Sequence, residues 1–186
     1  MTTQVTKEPP MERYSLRGDH GVWATIALRE WETTREHGGV HHCGEILINS
    51  DYGNYAYSWG NMGAPIKQFL AHIGRDYLLD KLAGLSRFEF DFDASVAAVK
   101  REILQQRRDG SLDRDEAREA WNDIPADNQG KDLFIHELFR IDSLGEEPWH
   151  FVEDRERPCL AGFWTHVWVP FAQHLHAELA ADVVTS

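Results

Sequence analysis

With 186 residues, 42% of them hydrophobic and 11% aromatic, the chain is long enough to bury a real core, and its composition excludes global disorder. Its two cysteines, Cys43 and Cys159, lie far apart and form no CxxC pair, which argues against a disulfide framework and predicts two ordinary reduced thiols. The formal net charge of −12 repels nucleic acid as a direct ligand and favours basic partners, including proteins that themselves hold DNA or RNA.

In chain order, the amino terminus MTTQVTKEPP lacks the apolar core of a secretory signal, and Pro9 and Pro10 predict a loose arm over residues 1–12. No apolar run reaches bilayer-crossing length, so a soluble, unexported chain without a membrane partner is expected. Tyr14–Arg17 reads as a short strand that leads through the turn-like Gly18–Gly21 into a second. There Val22, Ala24, Ile26 and Leu28 alternate with Trp23, Thr25 and Ala27. His37, His41, His42 and Cys43 follow, a dense set of the imidazole and thiolate ligands that zinc prefers. They fall in the glycine-containing stretch GGVHHC, read as a polar hairpin loop, and adjacent His41 and His42 would face opposite ways if extended. These four residues are the metal candidates; no cofactor is expected.

Gly44–Gly63 is a hairpin pattern. Ile46–Ile48 and the alternating Tyr55, Tyr57 and Trp59 make two strands around a turn at Asp51–Asn54. From Ala64 to Leu82, Ile66, Phe69, Leu70, Ile73, Tyr77 and Leu78 share a helical face, with Gly74 a weak point that divides or breaks the helix. Arg87–Phe92, RFEFDF, alternates as an edge strand or an extended link. Beyond Ala94 the chain turns helical and charged. Val96, Val99, Ile103 and Leu104 form one face of a helix that ends near Gly110. Asp113 caps the next, with Ala117, Ala120 and Trp121 inward. Leu133, Ile135, Leu138, Phe139 and Ile141 mark another helix, and a last one over Leu160–Ala181 is kinked or divided by Pro170. The expected fold is α+β: a small N-terminal antiparallel sheet packed on helices, followed by a mainly helical C-terminal half. A single domain over 13–186 is expected, with the sheet and its covering helix in 13–92 and an acidic helical portion in 93–186.

Catalytic motifs are incomplete. DGSLDRDE, Asp109–Glu116, resembles the second half of a calcium loop, but Gln105 and Arg107 stand where the first half needs acids, so it reads as a helix connection. HELFR has Arg140 where a zinc protease needs its second histidine. His166 reads as a core-edge or surface residue, and Asp91 and Asp93 are two acids among many. Nucleophile-elbow, P-loop and dinucleotide-binding patterns are absent from the sequence.

The run SDYGNYAYSWGNMG, with Phe69 and Leu70 and then DYLLDKL from Asp76 to Leu82, resembles a recurring pattern in uncharacterised proteins of tailed bacteriophages and prophages. It covers about the first half of the chain. The resemblance implies a phage or prophage origin and a life in the host bacterial cytoplasm, and it carries no chemistry to transfer. Charge adds a second pointer, because residues 1–62 carry 8 acids against 5 bases whereas residues 86–157 carry 19 against 11. The expectation is a non-catalytic accessory or counter-defence protein, comparable to anti-CRISPR inhibitors and in part a nucleic-acid mimic. Asp109, Asp113, Asp115, Glu116, Glu119, Asp123 and Asp127 would form the face that binds a host or defence protein with a basic, nucleic-acid-binding surface. Two alternatives are a small metal-dependent hydrolase using the His37–Cys43 loop with a distant carboxylate or His136, and a structural, self-assembling phage component with Trp164, Trp168 and Phe171 facing a partner.

Overall fold

The computed structural model describes residues 2–34 and 39–185. Strands β1 (Glu12–Arg17), β2 (Trp23–Thr34), β3 (Val40–Ser50) and β4 (Gly53–Trp59) form an antiparallel meander in sequence order. Period-two alternation gives the sheet one dry face. Ala24, Ile26 and Leu28 are buried beside Ile46 and Ile48, with Ile26 opposite Ile48 and Leu28 opposite Ile46. Tyr55, Tyr57 and Trp59 continue that face on β4. The hairpin turn is tighter than the sequence suggests. Only Asp51 and Tyr52 lie outside the strands, because Gly53 and Asn54 already pair with Ser50 and Asn49. Ser50 Oγ donates to the Gly53 carbonyl at 2.8 Å and the Tyr55 hydroxyl to that of Tyr52 at 2.9 Å, which closes the turn locally.

The covering segment is two helices, α1 (Ile66–His72) and α2 (Arg75–Ala83), separated where Ile73 and Gly74 are extended. Leu70, Ala71, Leu78 and Leu79 from these helices are buried in the sheet's core. Arg87 is buried and tied to the carboxylates of Asp76 and Asp80. Its carbonyl accepts the Arg157 amide at 3.1 Å. Between these two arginines the chain makes a second compact unit, residues 88–156, inserted into a first made of residues 1–87 and 157–186.

In the inserted unit β5 (Phe88–Phe90) pairs antiparallel with β6 (Asp154–Glu156), so only the middle of RFEFDF is a paired strand and Phe92 already opens the next helix. Helices α3 (Phe92–Asp109), α4 (Arg114–Asn122) and α5 (Lys131–Leu138) pack around Val99, Ile103, Ala120, Phe134, Leu138 and Ile141. Asp91 caps α3 by accepting the Ala94 amide at 3.0 Å. Gly110 closes it at φ 85°, a conformation that a side chain would strain. Apolar assignments are corrected at five positions: Leu104, Trp121, Leu133 and Phe139 in this unit, and Tyr77 of α2 in the first, are exposed. One residue is about 100° around a helix, so the face set by Val99 and Ile103 excludes Leu104. Phe134, unnoticed in the sequence, replaces the exposed Leu133 in the core. Trp121 lies beneath the Lys100 ammonium, 5.2 Å from the ring centre, a position that needs no burial.

The chain returns to the first unit through α6 (Pro158–Phe163), a π-helical turn at Trp164–Trp168, and α7 (Val169–Thr185). The irregularity expected at Pro170 is taken up by that wider turn just before it, because proline has no amide for the regular ladder. Leu160, Phe163, Val167, Trp168, Phe171 and Leu175 are buried with the strand residues. This aromatic-rich helix, grouped by sequence with the acidic portion, therefore completes the sheet's core. The architecture is α+β, and no described helix is long and apolar enough to cross a membrane.

Candidate functional site

The seven acids singled out from the sequence run from the end of α3, along α4, into the loop beyond it, and all are exposed. They divide by role. Asp109 Oδ1 accepts the Ser111 amide at 3.1 Å, and Asp113 Oδ1 accepts those of Asp115 and Glu116 at 2.8 and 2.9 Å. Glu116 Oε2 returns a bond to the Asp113 amide at 2.7 Å, which completes a capping box. Asp109 is held below the usual carboxylate range by its hydrogen bonds from Ser111, and Asp113 by the backbone amides of Glu116 and Asp115. The calcium-loop resemblance therefore resolves into a turn and a helix cap.

Glu116, Glu119 and Asp123 follow at helical spacing and line a groove of about 400 Å³ with Leu112 and Ala120. Arg140, Asp142 and Ser143 form its other wall. That wall is positioned by Gln106 of α3, whose Nε2 donates to the Ser143 carbonyl and to Glu102 Oε1, each at 2.9 Å. Ser143 Oγ has no hydrogen-bond partner among the described residues. Asp115 points along the helix toward Arg118, 4.0 Å away, and Asp127 stands in the exposed loop after α4. The groove thus gathers three of the seven acids and adds Arg140, Asp142 and Ser143, which no local pattern in the sequence connects to α4. An exposed surface of this kind can receive guanidinium or ammonium groups.

The metal candidates do not converge. Val40–Cys43 is strand, not the loop read from the sequence, because it continues the long pairing with Trp31–Thr34. Successive residues alternate faces on a strand. The Cys43 thiol donates to the Gly60 carbonyl at 3.1 Å, whereas His42 Nδ1 lies 3.6 Å from both Glu30 and Glu32. His37 lies outside the described residues, and His136 is exposed on α5. Among the described residues no group of three His, Cys, Asp or Glu side chains is placed to hold a metal ion. The aromatic candidates for self-assembly are equally committed: Trp168 and Phe171 are buried and Trp164 packs at the edge of the same core. His166 stacks on Tyr52 with ring centres 6.0 Å apart.

Sequence reasoning missed a charged cluster in the first unit. Lys67 Nζ lies 2.6 Å from Glu12 and 3.2 Å from Glu178, and the Tyr14 hydroxyl stands 2.9 and 3.0 Å from the same two carboxylates, sharing its one proton between them. Burial, with help from the two glutamates, pushes the Tyr14 hydroxyl up to about 12. Burial works against the charged forms of Lys67 and Glu178 but is outweighed by their hydrogen bonds, so Lys67 is raised and Glu178 lowered. The cluster clips β1 to α1 and α7. It adjoins a cavity of about 700 Å³ lined by Pro9, Pro10, Arg29 and Trp31. The cations there are already answered, since Arg29 reaches Glu8 at 3.5 Å and Glu45 at 3.2 Å.

No curated protein and no solved structure matches the chain. A family model described as a phage family matches residues 4–178. That match spans both compact units, and the chain belongs to this phage family.

Proposed function

We propose that this is a non-catalytic phage accessory protein of the counter-defence kind, which binds and inhibits a host or defence protein through the acidic surface of its inserted unit. The observation that carries this reading is the charge partition. Residues 88–156 hold 19 acids against 9 bases, a balance of −10 within the chain's −12. Solubility alone gives no reason for the excess to sit in one unit.

The spacing supports a partner that ordinarily holds nucleic acid. Asp113, Asp115, Glu116, Glu119 and Asp123 place five carboxylates along about 15 Å of helix. One charge per ~3 Å is comparable with a nucleic-acid strand, which carries one per ~3.4 Å. Arg114 and Arg118 dilute the charge but leave its sign. The partner in this reading is a basic host or defence protein met in the bacterial cytoplasm, and the acidic face works by occupying its nucleic-acid site as an anti-CRISPR-like mimic.

The test is capture of a basic nucleic-acid-binding protein from phage-sensitive cells, followed by competition with DNA and RNA. Binding should weaken steeply with salt and be displaced by nucleic acid. Glu116→Lys, Glu119→Lys and Asp123→Lys together should weaken it by roughly tenfold or more, at about 0.5–1 kcal/mol per exposed charge. Salt-insensitive binding that survives these reversals would refute the reading.

A further inference from the structure

The sheet has a second face that no described helix of its unit covers. Its residues alternate with the core positions: Arg13, Ser15 and Arg17 on β1; Thr25, Ala27 and Arg29 on β2; Glu45, Leu47 and Asn49 on β3; Asn54, Ala56 and Ser58 on β4. Leu47 is 40% exposed at its centre, beside a shallow depression of about 420 Å³ floored by Ala27 and Ala56. Its charges are nearly balanced, with Arg13, Arg17 and Arg29 against Glu45 and Asp51, and Glu8 also reaches Arg29 at 3.5 Å.

We propose that this open face is an isologous dimer interface, occupied by the same face of a second copy. The argument is self-complementarity. Across the sheet, Ala27 pairs with Leu47, Thr25 with Asn49, and Arg29 with Glu45, each β2 residue beside its β3 partner. A two-fold axis parallel to the strands, between β2 and β3, lays β2 of one copy over β3 of the other while each row keeps its height. Leu47 then seats on the small Ala27 of the second copy, Asn49 meets Thr25, and the Arg29–Glu45 pair that each chain already makes at 3.2 Å faces its symmetry mate in reversed order. In the end row Asp51, which accepts the Trp23 amide at 3.3 Å in its own chain, comes over the Trp23 and Arg17 side. Bulk meets hole, donor meets acceptor, and charge meets its opposite, twice each by symmetry. A two-fold axis across the strands would instead stack β1 on β1 and bring arginines together.

Four strands at 4.8 Å and about eight residues of rise bury roughly 500 Å² per copy, or about 1,000 Å² in total. That is the lower bound of a specific interface and calls for a concentration-dependent dimer.

Sedimentation equilibrium of the full chain, from low micromolar to several hundred micromolar, tests this. A monomer–dimer equilibrium is expected. Leu47→Arg, which sets a cation over the centre of the partner's face, should raise the dissociation constant at least about tenfold. Leu85→Arg, at a fully exposed leucine elsewhere on the same unit, should leave it unchanged, and circular dichroism should show both variants folded. Monomer throughout, or a dimer equally affected or unaffected by the two substitutions, would overturn the proposal.

Discussion

Gly162→Ala joins the hairpin and the closing helix in one measurement. A methyl group there would sit 2.3 Å from Cε1, 2.9 Å from Cδ1 and 3.2 Å from Cζ of Tyr52, the second residue of the β3–β4 turn. Ordinary contact begins about 1 Å further out, so the ring must move. It stacks on His166, one helical turn beyond Gly162, and the Tyr52 carbonyl accepts the Tyr55 hydroxyl. Overpacking of this kind costs about 1–3 kcal/mol. Against it, alanine gains about 1 kcal/mol over glycine inside a helix. The balance is a loss of up to about 2 kcal/mol, or a Tm fall of up to about 8 °C for a chain of this size. In a Tyr52→Ala background the clash is gone and the same change should stabilise by up to about 1 kcal/mol. Urea unfolding followed by tryptophan fluorescence supplies all four corners of the cycle, with a coupling above about 1 kcal/mol expected. If Gly162→Ala raised stability with Tyr52 present, or lost the same amount in both backgrounds, the close approach would not be what keeps this position a glycine.

The Lys67 cluster predicts two pH limbs. Glu178 is lowered, so its contribution is complete above the ordinary glutamate value of 4.5 and is lost as pH falls through the folded value. Tyr14 is raised, so its contribution is complete below 10.0 and is lost as pH rises toward about 12; the raised Lys67 acts in the same direction. Lys67→Met should shrink the acid limb and Tyr14→Phe the alkaline limb, both read from Tm against pH. Because these groups are partly exposed, solvent screening keeps both effects small. Leu138→Ala, at a fully buried position in the inserted unit, should cost about 2–5 kcal/mol in chemical unfolding. Leu104→Gln and Phe139→Gln, at exposed positions, should stay within about 0.5 kcal/mol. Asp113→Ala should lower the Tm by removing both bonds to the first turn of α4.

Local patterning determined much of the fold. The sheet was legible because strand alternation puts Ala24, Ile26 and Leu28 on one face, the hairpin because glycine and asparagine follow its turn, and the α3–α4 corner because Gly110 and Asp113 are stop and start signals. The acidic surface was legible too, since charged residues on a surface helix need no partner to be exposed. What only the tertiary structure decided depends on segments far apart in sequence. It sends the closing helix back to the sheet, extends β3 through His41–Cys43, and builds the groove by setting Arg140, Asp142 and Ser143 against Glu116, Glu119 and Asp123. It also chooses Phe134 over Leu133, and tucks Gly162 against Tyr52. The physical reason is shared. A helix or strand announces its apolar face through a period of 3.6 or 2, but the surface that covers that face is selected by packing the whole unit, and no local repeat records it.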